Sequence, residues 1–326
     1  MVTEELLYDS SYSINTALLS KSIKKIRRNS IRHLGENLCA SLGLVNKMIA
    51  LPSKLLALLH FERSVVFYDT KARILAQLTR NGEDDFEEAY REELDKVIES
   101  EFLPESEKIA EGAVVEGKNM FKQMLEKNEI GLRETYDAIL DSSTVWIWCS
   151  FEVLMRELWK QSLNEGGKYL GNVVIKKSQS EDRRTDKIQG KYIRLDYLAK
   201  YNYDISKDLG TILLDKFDFT SCKGICEAYN CAFPRSENIE KALISKKLSE
   251  LEAVRNVIVH NAGIIDSDFC RRTSTSLAEM GNRIRLNNRK VCEYGNAVME
   301  VGIATMLAVY ANMAYIRSRI KKQIGE

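Results

Sequence analysis

Proline is scarce in this chain: Pro52, Pro104 and Pro234 are the only three in 326 residues. So few helix breakers, with 17 glycines, leave room for long helices and argue against a turn-rich all-β fold. Histidine is equally sparse. Only His33, His60 and His260 can supply an imidazole, so any acid–base chemistry at neutral pH has few candidate carriers. No uninterrupted apolar run reaches about 18 residues, and no membrane-spanning helix is expected. The opening residues MVTEELLYDSS lack a basic start followed by an apolar core. A secretory signal is therefore not expected, and a cytoplasmic location is. The net charge of +1 supplies no global field toward nucleic acid or a lipid surface. Any such contact needs a local patch. Seven cysteines, an odd number without an export signal, suggest reduced thiols. Cys222, Cys226 and Cys231 form C-x3-C-x4-C. A zinc site would want a C-x2-C knuckle and a fourth ligand. Structural cysteines are the first reading, with metal or redox roles as alternatives, and no metal or cofactor is expected.

What is abundant points one way. Straight-chain and apolar residues carry an all-α pattern, a helical bundle preceded by an N-terminal helical region. Asn15 to Arg32 reads as a helix with Leu18, Leu19, Ile23 and Ile26 on one face and Lys21, Lys24, Lys25, Arg27, Arg28 and Arg32 on the other. That basic face is either solvated or a weak RNA- or partner-binding patch, with no interleaved aromatics to stack bases. Leu38 to Leu59 is expected to form two buried helices with a turn before Pro52, and Phe61 to Leu78 continues as helix. Glu83, Asp84, Asp85, Glu87 and Glu88 fit the first turn of a charged helical stretch that Pro104 splits. Gly131 opens the next helix. Asp141 or Ser142 is a candidate N-cap for DSSTVWIWCSFEVLMRELWKQSL, in which Glu152 lies beside an apolar stripe. Gly166-Gly167 ends it. Lys176 to Lys191 reads as an exposed loop, Tyr192 to Tyr203 and Leu209 to Phe217 as helices, and Phe219 to Pro234 as turns carrying cysteines. Arg289 to Arg319 reads as a long helix. A shift near residues 128–140 divides the chain into residues 1–135, of unassigned role, and residues 136–326.

The stretch LEAVRNVIVHNAGIID, residues 251–266, carries the chemistry. Ser236 or Asn238 is a candidate cap for the helix leading into it. On a helical wheel Ile244, Leu248, Leu251 and Ile258 share one face, and Arg255 falls on it. A guanidinium there needs a partner, because an unpaired buried charge is costly. Glu152 is the candidate, which would make Arg255 a structural ion pair. His260 sits in the last helical turn, before Gly263, a residue suited to a left-handed cap. It could simply cap the helix. Arg255 and His260 are about 140° apart on an ideal helix. They share a target only through a distorted last turn, the reach of arginine, or a two-fold axis.

Arg255-Asn256-Val257-Ile258-Val259-His260 resembles the R-x4-H form of the motif of HEPN domains, and Asn256 and Asn261-Ala262-Gly263 match a frequent version of it. WCSFEVLMREL (148–158) is similar to the long first helix of these domains, with Glu152 at an acidic position, and residues 289–315 are similar to the closing helix. The resemblance spans about residues 145–315. It implies a helical-bundle domain, often dimeric, that in active members cleaves RNA without metal: a toxin or antiviral-defence ribonuclease. Arg255, His260 and Asn256 would then be catalytic, with Glu152 and Asn261 in support. RNA, a second copy and a regulatory protein or antitoxin would be the partners. The alternatives are a non-catalytic helical binding or scaffold module, in which the same residues close an interface, and a nucleotide- or ligand-binding sensor.

Overall fold

The computed structural model describes residues 12–79, 86–180, 198–202, 204–233 and 235–324. Among them are eleven α-helices and no β-strand. They are α1 (Thr16–Ile23), α2 (Asn29–Thr79), α3 (Phe86–Val97), α4 (Leu103–Lys127), α5 (Leu132–Ser180), α6 (Leu209–Leu213), α7 (Cys222–Ala232), α8 (Glu237–Leu243), α9 (Lys246–Asn261), α10 (Ser267–Thr273) and α11 (Asn288–Ile324). The all-α expectation holds. The helices gather into two compact units, one built on residues 47–138 and the other on residues 12–46 with 139–326. Residues 12–46 therefore group with the C-terminal part, and both α2 and α5 run from one unit into the other.

The first unit holds the later part of α2, then α3 and α4. Pro52 was expected to end a helix, yet α2 passes through it over 51 residues. Proline deletes one backbone hydrogen bond and crowds the carbonyl four residues back. Packing outweighs that here. The α2 face carrying Ser53 and Ala57 lies so close to α4 that a Cβ on Gly117 would stand 2.5 Å from the Ala57 nitrogen. Further along, Phe61 and Tyr68 of α2 meet Phe102 with ring centroids 6.3 and 5.4 Å apart. Leu51, Leu55, Leu58 and Leu59 were expected in the core and are instead exposed. A π-helical turn, Ile98–Phe102, joins α3 to α4, and Pro104 sits in the first turn of α4, where its missing N–H is harmless. Glu87 and Glu88 occupy the first turn of α3. Glu83, Asp84 and Asp85 lie outside the described residues.

The second unit is built around α5. Its buried residues Trp148, Phe151, Met155 and Trp159 recur at helical spacing. Asp141 and Ser142 are not N-caps, because α5 begins at Leu132, just after Gly131 turns with φ 66°. Asp141 instead accepts a 2.8 Å hydrogen bond from Arg283. Burial pushes its carboxyl up, and Arg283 pulls the other way. Gly167 breaks α5 with φ 48°, and helix resumes to Ser180. Residues 181–191, most of the expected polar loop, and residues 192–197 and 203 of the following expected helix lie outside the described residues. The cysteine-bearing stretch is not mainly turns. Cys222, Cys226 and Cys231 ride on α7, N-capped by Ser221, and α7 packs on α5 through hydrogen bonds from Trp159 Nε1 to the Ala228 carbonyl and from the Tyr229 hydroxyl to the Met155 carbonyl. Burial pushes the Cys226 thiol up to about 11 and raises that of Cys222 further. The expected Asn15–Arg32 helix stops at Ile23, and Asn15 caps it. Leu38, Leu42 and Val45 on the first part of α2 enter this core, where Leu38 and Leu154 close on Gly302 of α11.

Composition along single helices also corrects the reading of apolar runs. An interrupted run can still be long and apolar enough to cross a bilayer. By length and composition α2, Leu132–Gly167 and Asn288–Arg319 all qualify. In the latter two about half of the apolar window is buried inside the protein, against 28% in α2.

Candidate functional site

Helix α9 starts at Ser245, whose Oγ accepts a hydrogen bond from the Leu248 N–H. Ile244, placed on its apolar face by the wheel, belongs to the preceding cap of α8 and is exposed. Ser236 occupies the N-cap position of α8, a separate short helix, without a side-chain bond. Leu248, Leu251, Val254 and Val257 bury the inner side of α9. Its C-terminus is held by backbone hydrogen bonds. The Gly263 N–H reaches the Val257 carbonyl, and Gly263, Ile265, Gly281, Asn282 and Ile284 exchange bonds across a short antiparallel contact. Two residues in succession, Ala262 (φ 51°) and Gly263 (φ 83°), are left-handed. Only the glycine does this without steric cost. Ala262→Gly is therefore expected to stabilise the protein by about 0.5–1 kcal/mol, seen as a rise of a few degrees in thermal midpoint. An unchanged or lower midpoint would contradict the assignment of strain to Ala262.

Arg255 points from α9 toward α5. Its Nη2 lies 4.0 Å from Glu152 Oε2, and both side chains are about four-fifths shielded from solvent. Its Nη1 donates to Asn256 Oδ1 at 2.8 Å, while its Nε is buried with no hydrogen-bond partner. The Cys149 thiol stands beside this pair. Burial and the Glu152 carboxylate push it up, and the Arg255 charge draws it down.

The α9 motif lies between two cavities. A groove of about 820 Å3 is lined by residues of α2, α5 and α9, among them Leu34, Leu38, Trp146, Cys149, Val153 and Ile258. A smaller pocket of about 150 Å3 opens at the C-terminal turn of α9, with Asn256, His260, Asn261, Asp266, Asp268 and Arg272 as its polar lining. That is room for about five waters or a phosphate-sized group. The periodicity explains the division. Asn256 and His260 are four residues apart and share a face, whereas Arg255 is turned away from them. Arg255 lines neither cavity, and its hydrogen bond to Asn256 is its link to the small pocket.

His260 is exposed. Asn261 donates to Asp266, which also caps α10 through the Phe269 N–H. Arg272, which no sequence pattern singles out, brings a second guanidinium to the pocket. It pairs with Glu252 at 2.9 Å and reaches Asp268 at 4.0 Å. Glu252 is a buried carboxylate that also accepts the Cys222 N–H at 3.1 Å, so it ties α7, α9 and α10 together. Glu252→Ala is expected to cost about 2–3 kcal/mol in urea unfolding, since it strands a partly buried cation and a backbone donor. A loss below about 0.5 kcal/mol would mean that solvent already satisfies both.

The basic residues of the first helix stand apart from this constellation. Lys21, Lys24 and Lys25 are exposed on or just after α1. Arg28 is ion-paired with Glu165, and burial and the nearby Arg317 lower its pKa. None of the four lines either cavity. No family model, curated protein or solved structure was found to match this chain.

Proposed function

We propose that this protein is a metal-independent endoribonuclease whose active centre is the pocket at the end of α9. The observation that supports this reading is the gathering of His260, Asn256 and Asn261 around one phosphate-sized pocket, with Arg272 on its wall and Arg255 joined to it through Asn256. In the reaction a ribose 2′-OH loses its proton to a base and its oxygen bonds to the adjacent phosphorus. The P–O5′ bond breaks, and the departing oxygen takes a proton, leaving a cyclic phosphate and a 5′-OH. His260 supplies one of the two proton transfers, as base or acid. Asn256 and Asn261 orient phosphate or imidazole. A guanidinium, from Arg255 or Arg272, meets charge that develops on the phosphorane oxygens. One imidazole cannot give and take a proton in the same step, so the second transfer falls to water or to a second copy. In this reading the protein works in the cytoplasm as a toxin or antiviral effector, under the control of a partner protein.

A second reading is favoured by the Arg255–Glu152 pair. A largely shielded ion pair that lines neither cavity suits a helical binding or scaffold module. The two readings separate when labelled total RNA is incubated with purified protein in EDTA, alongside His260→Ala and Arg255→Ala. Cleavage by the wild type and its loss in His260→Ala is the expected result. Equal behaviour of all three leaves the binding module, and cleavage that EDTA abolishes removes the metal-free mechanism.

A further inference from the structure

We infer that α2 is a self-association surface, pairing antiparallel with α2 of a second copy about a two-fold axis at Leu58. The surface belongs to the first unit, which contains none of the α9 residues, and it stands independently of the ribonuclease reading. Leu51, Leu55, Leu58, Leu59, Val65 and Val66 share one side of the helix and are each more than two-fifths exposed, with Leu58 at 64%. Monomers seldom leave so continuous an apolar face in water. The exposed surface of these six side chains is on the order of 500 Å2 per copy. With the stems of the flanking charged residues it approaches the about 800 Å2 per partner of an ordinary stable interface.

Spacing and charge identify the occupant. Leu51, Leu58 and Val65 repeat every seven residues, the period of a helix seam packed against another helix. Lys47, Lys54 and Glu62 border this seam, exposed and with no ion-pair partner among the described residues. Asp69 follows, held by Arg73 and Tyr90. An antiparallel copy centred on Leu58 joins residues equally distant from it. Leu51 then meets Val65, Lys54 meets Glu62, and Lys47 meets Asp69. The two unpaired charges nearest the axis, Lys54 and Glu62, thus find their opposites. A parallel copy would set Lys54 on Lys54 and Glu62 on Glu62, which is repulsive. A bilayer core would offer Glu62 no counter-charge. The reverse side of α2, with Ser53 and Ala57, is already packed on α4.

Sedimentation of the full chain across a concentration range tests the pairing. The wild type should dimerise. Leu58→Glu places two like charges on the axis and should raise the dissociation constant about 30-fold or more. Its helicity should be unchanged, because the side chain is exposed. Lys54→Glu alone and Glu62→Lys alone should each weaken the dimer about 3- to 10-fold, and the double exchange should restore it. A wild type that stays monomeric overturns the proposal. So does a dimer indifferent to Leu58→Glu, or a double exchange no better than the singles. Flotation of a monomer with phosphatidylcholine–phosphatidylglycerol vesicles, lost in Leu58→Glu, would assign the face to lipid instead and equally overturn it.

Discussion

His260→Ala is expected to slow RNA cleavage by about 10²- to 10⁴-fold, the range that a positioned proton-transfer group contributes. The loss should not come from unfolding. His260 is exposed on the last turn of α9, so its truncation opens no cavity, and thermal midpoints should agree within a degree or two. Arg255→Ala is a different experiment. It removes the partner of Glu152 and the donor to Asn256, so any lost cleavage must be measured against lost stability. Asn256→Ala helps to separate these roles. If Asn256 transmits Arg255 to the pocket, the Arg255→Ala/Asn256→Ala double variant should cleave about as well as the worse single one. Additive losses would mean two independent contributions. Full cleavage by His260→Ala at matched folding would remove the imidazole from the reaction.

Trp159→Ala is expected to cost about 3–5 kcal/mol, a large share of the stability of an ordinary domain. Trp159 is fully buried. Its ring lies 5.0 and 5.5 Å from those of Phe217 and Phe219, and its indole N–H satisfies the Ala228 carbonyl. Truncation therefore opens a cavity and orphans an acceptor at the contact of α5 with α7. The measurement is selective. All three tryptophans, Trp146, Trp148 and Trp159, belong to the second unit, so fluorescence follows that unit while far-ultraviolet dichroism follows both. The fluorescence transition should move to lower urea. A dichroism component that stays in place would belong to the first unit. An unmoved fluorescence midpoint would contradict the packing described for Trp159.

Helical character was legible because it is local: the spacing of Trp148, Phe151, Met155 and Trp159 marks a buried helix face whatever surrounds it. Helix ends were less so. Asp141 has the chemistry of an N-cap, but the helix had already started nine residues earlier, and its carboxylate serves Arg283 instead. Pro52 has the chemistry of a break, and tight packing around Gly117 carries α2 past it. The failure over Leu51–Leu59 is more informative. Leucine content signals burial against something, and among the described residues nothing covers that face. In the candidate site, periodicity alone placed Arg255 on a shielded face and turned His260 away from it, and the need to pair a shielded cation pointed to Glu152. Arg272 was invisible, because only the folding of α10 onto α9 brings it beside His260.

The division of the second unit along the chain bears on how the protein is made. Residues 12–46 leave the ribosome before the rest of their unit, carrying Leu19, Ile23, Ile26, Leu38, Leu42 and Val45, all buried in the finished unit. Their partners lie beyond residue 139 and emerge only after residues 47–138 have been synthesised. At about 5–20 residues per second that is a wait of several seconds, during which the intervening segment can fold first. The nascent chain thus holds an unsatisfied apolar segment until its partners emerge. A fragment that begins at residue 139 would never receive it, and would leave Gly302 without the Leu38 that closes on it beside Leu154.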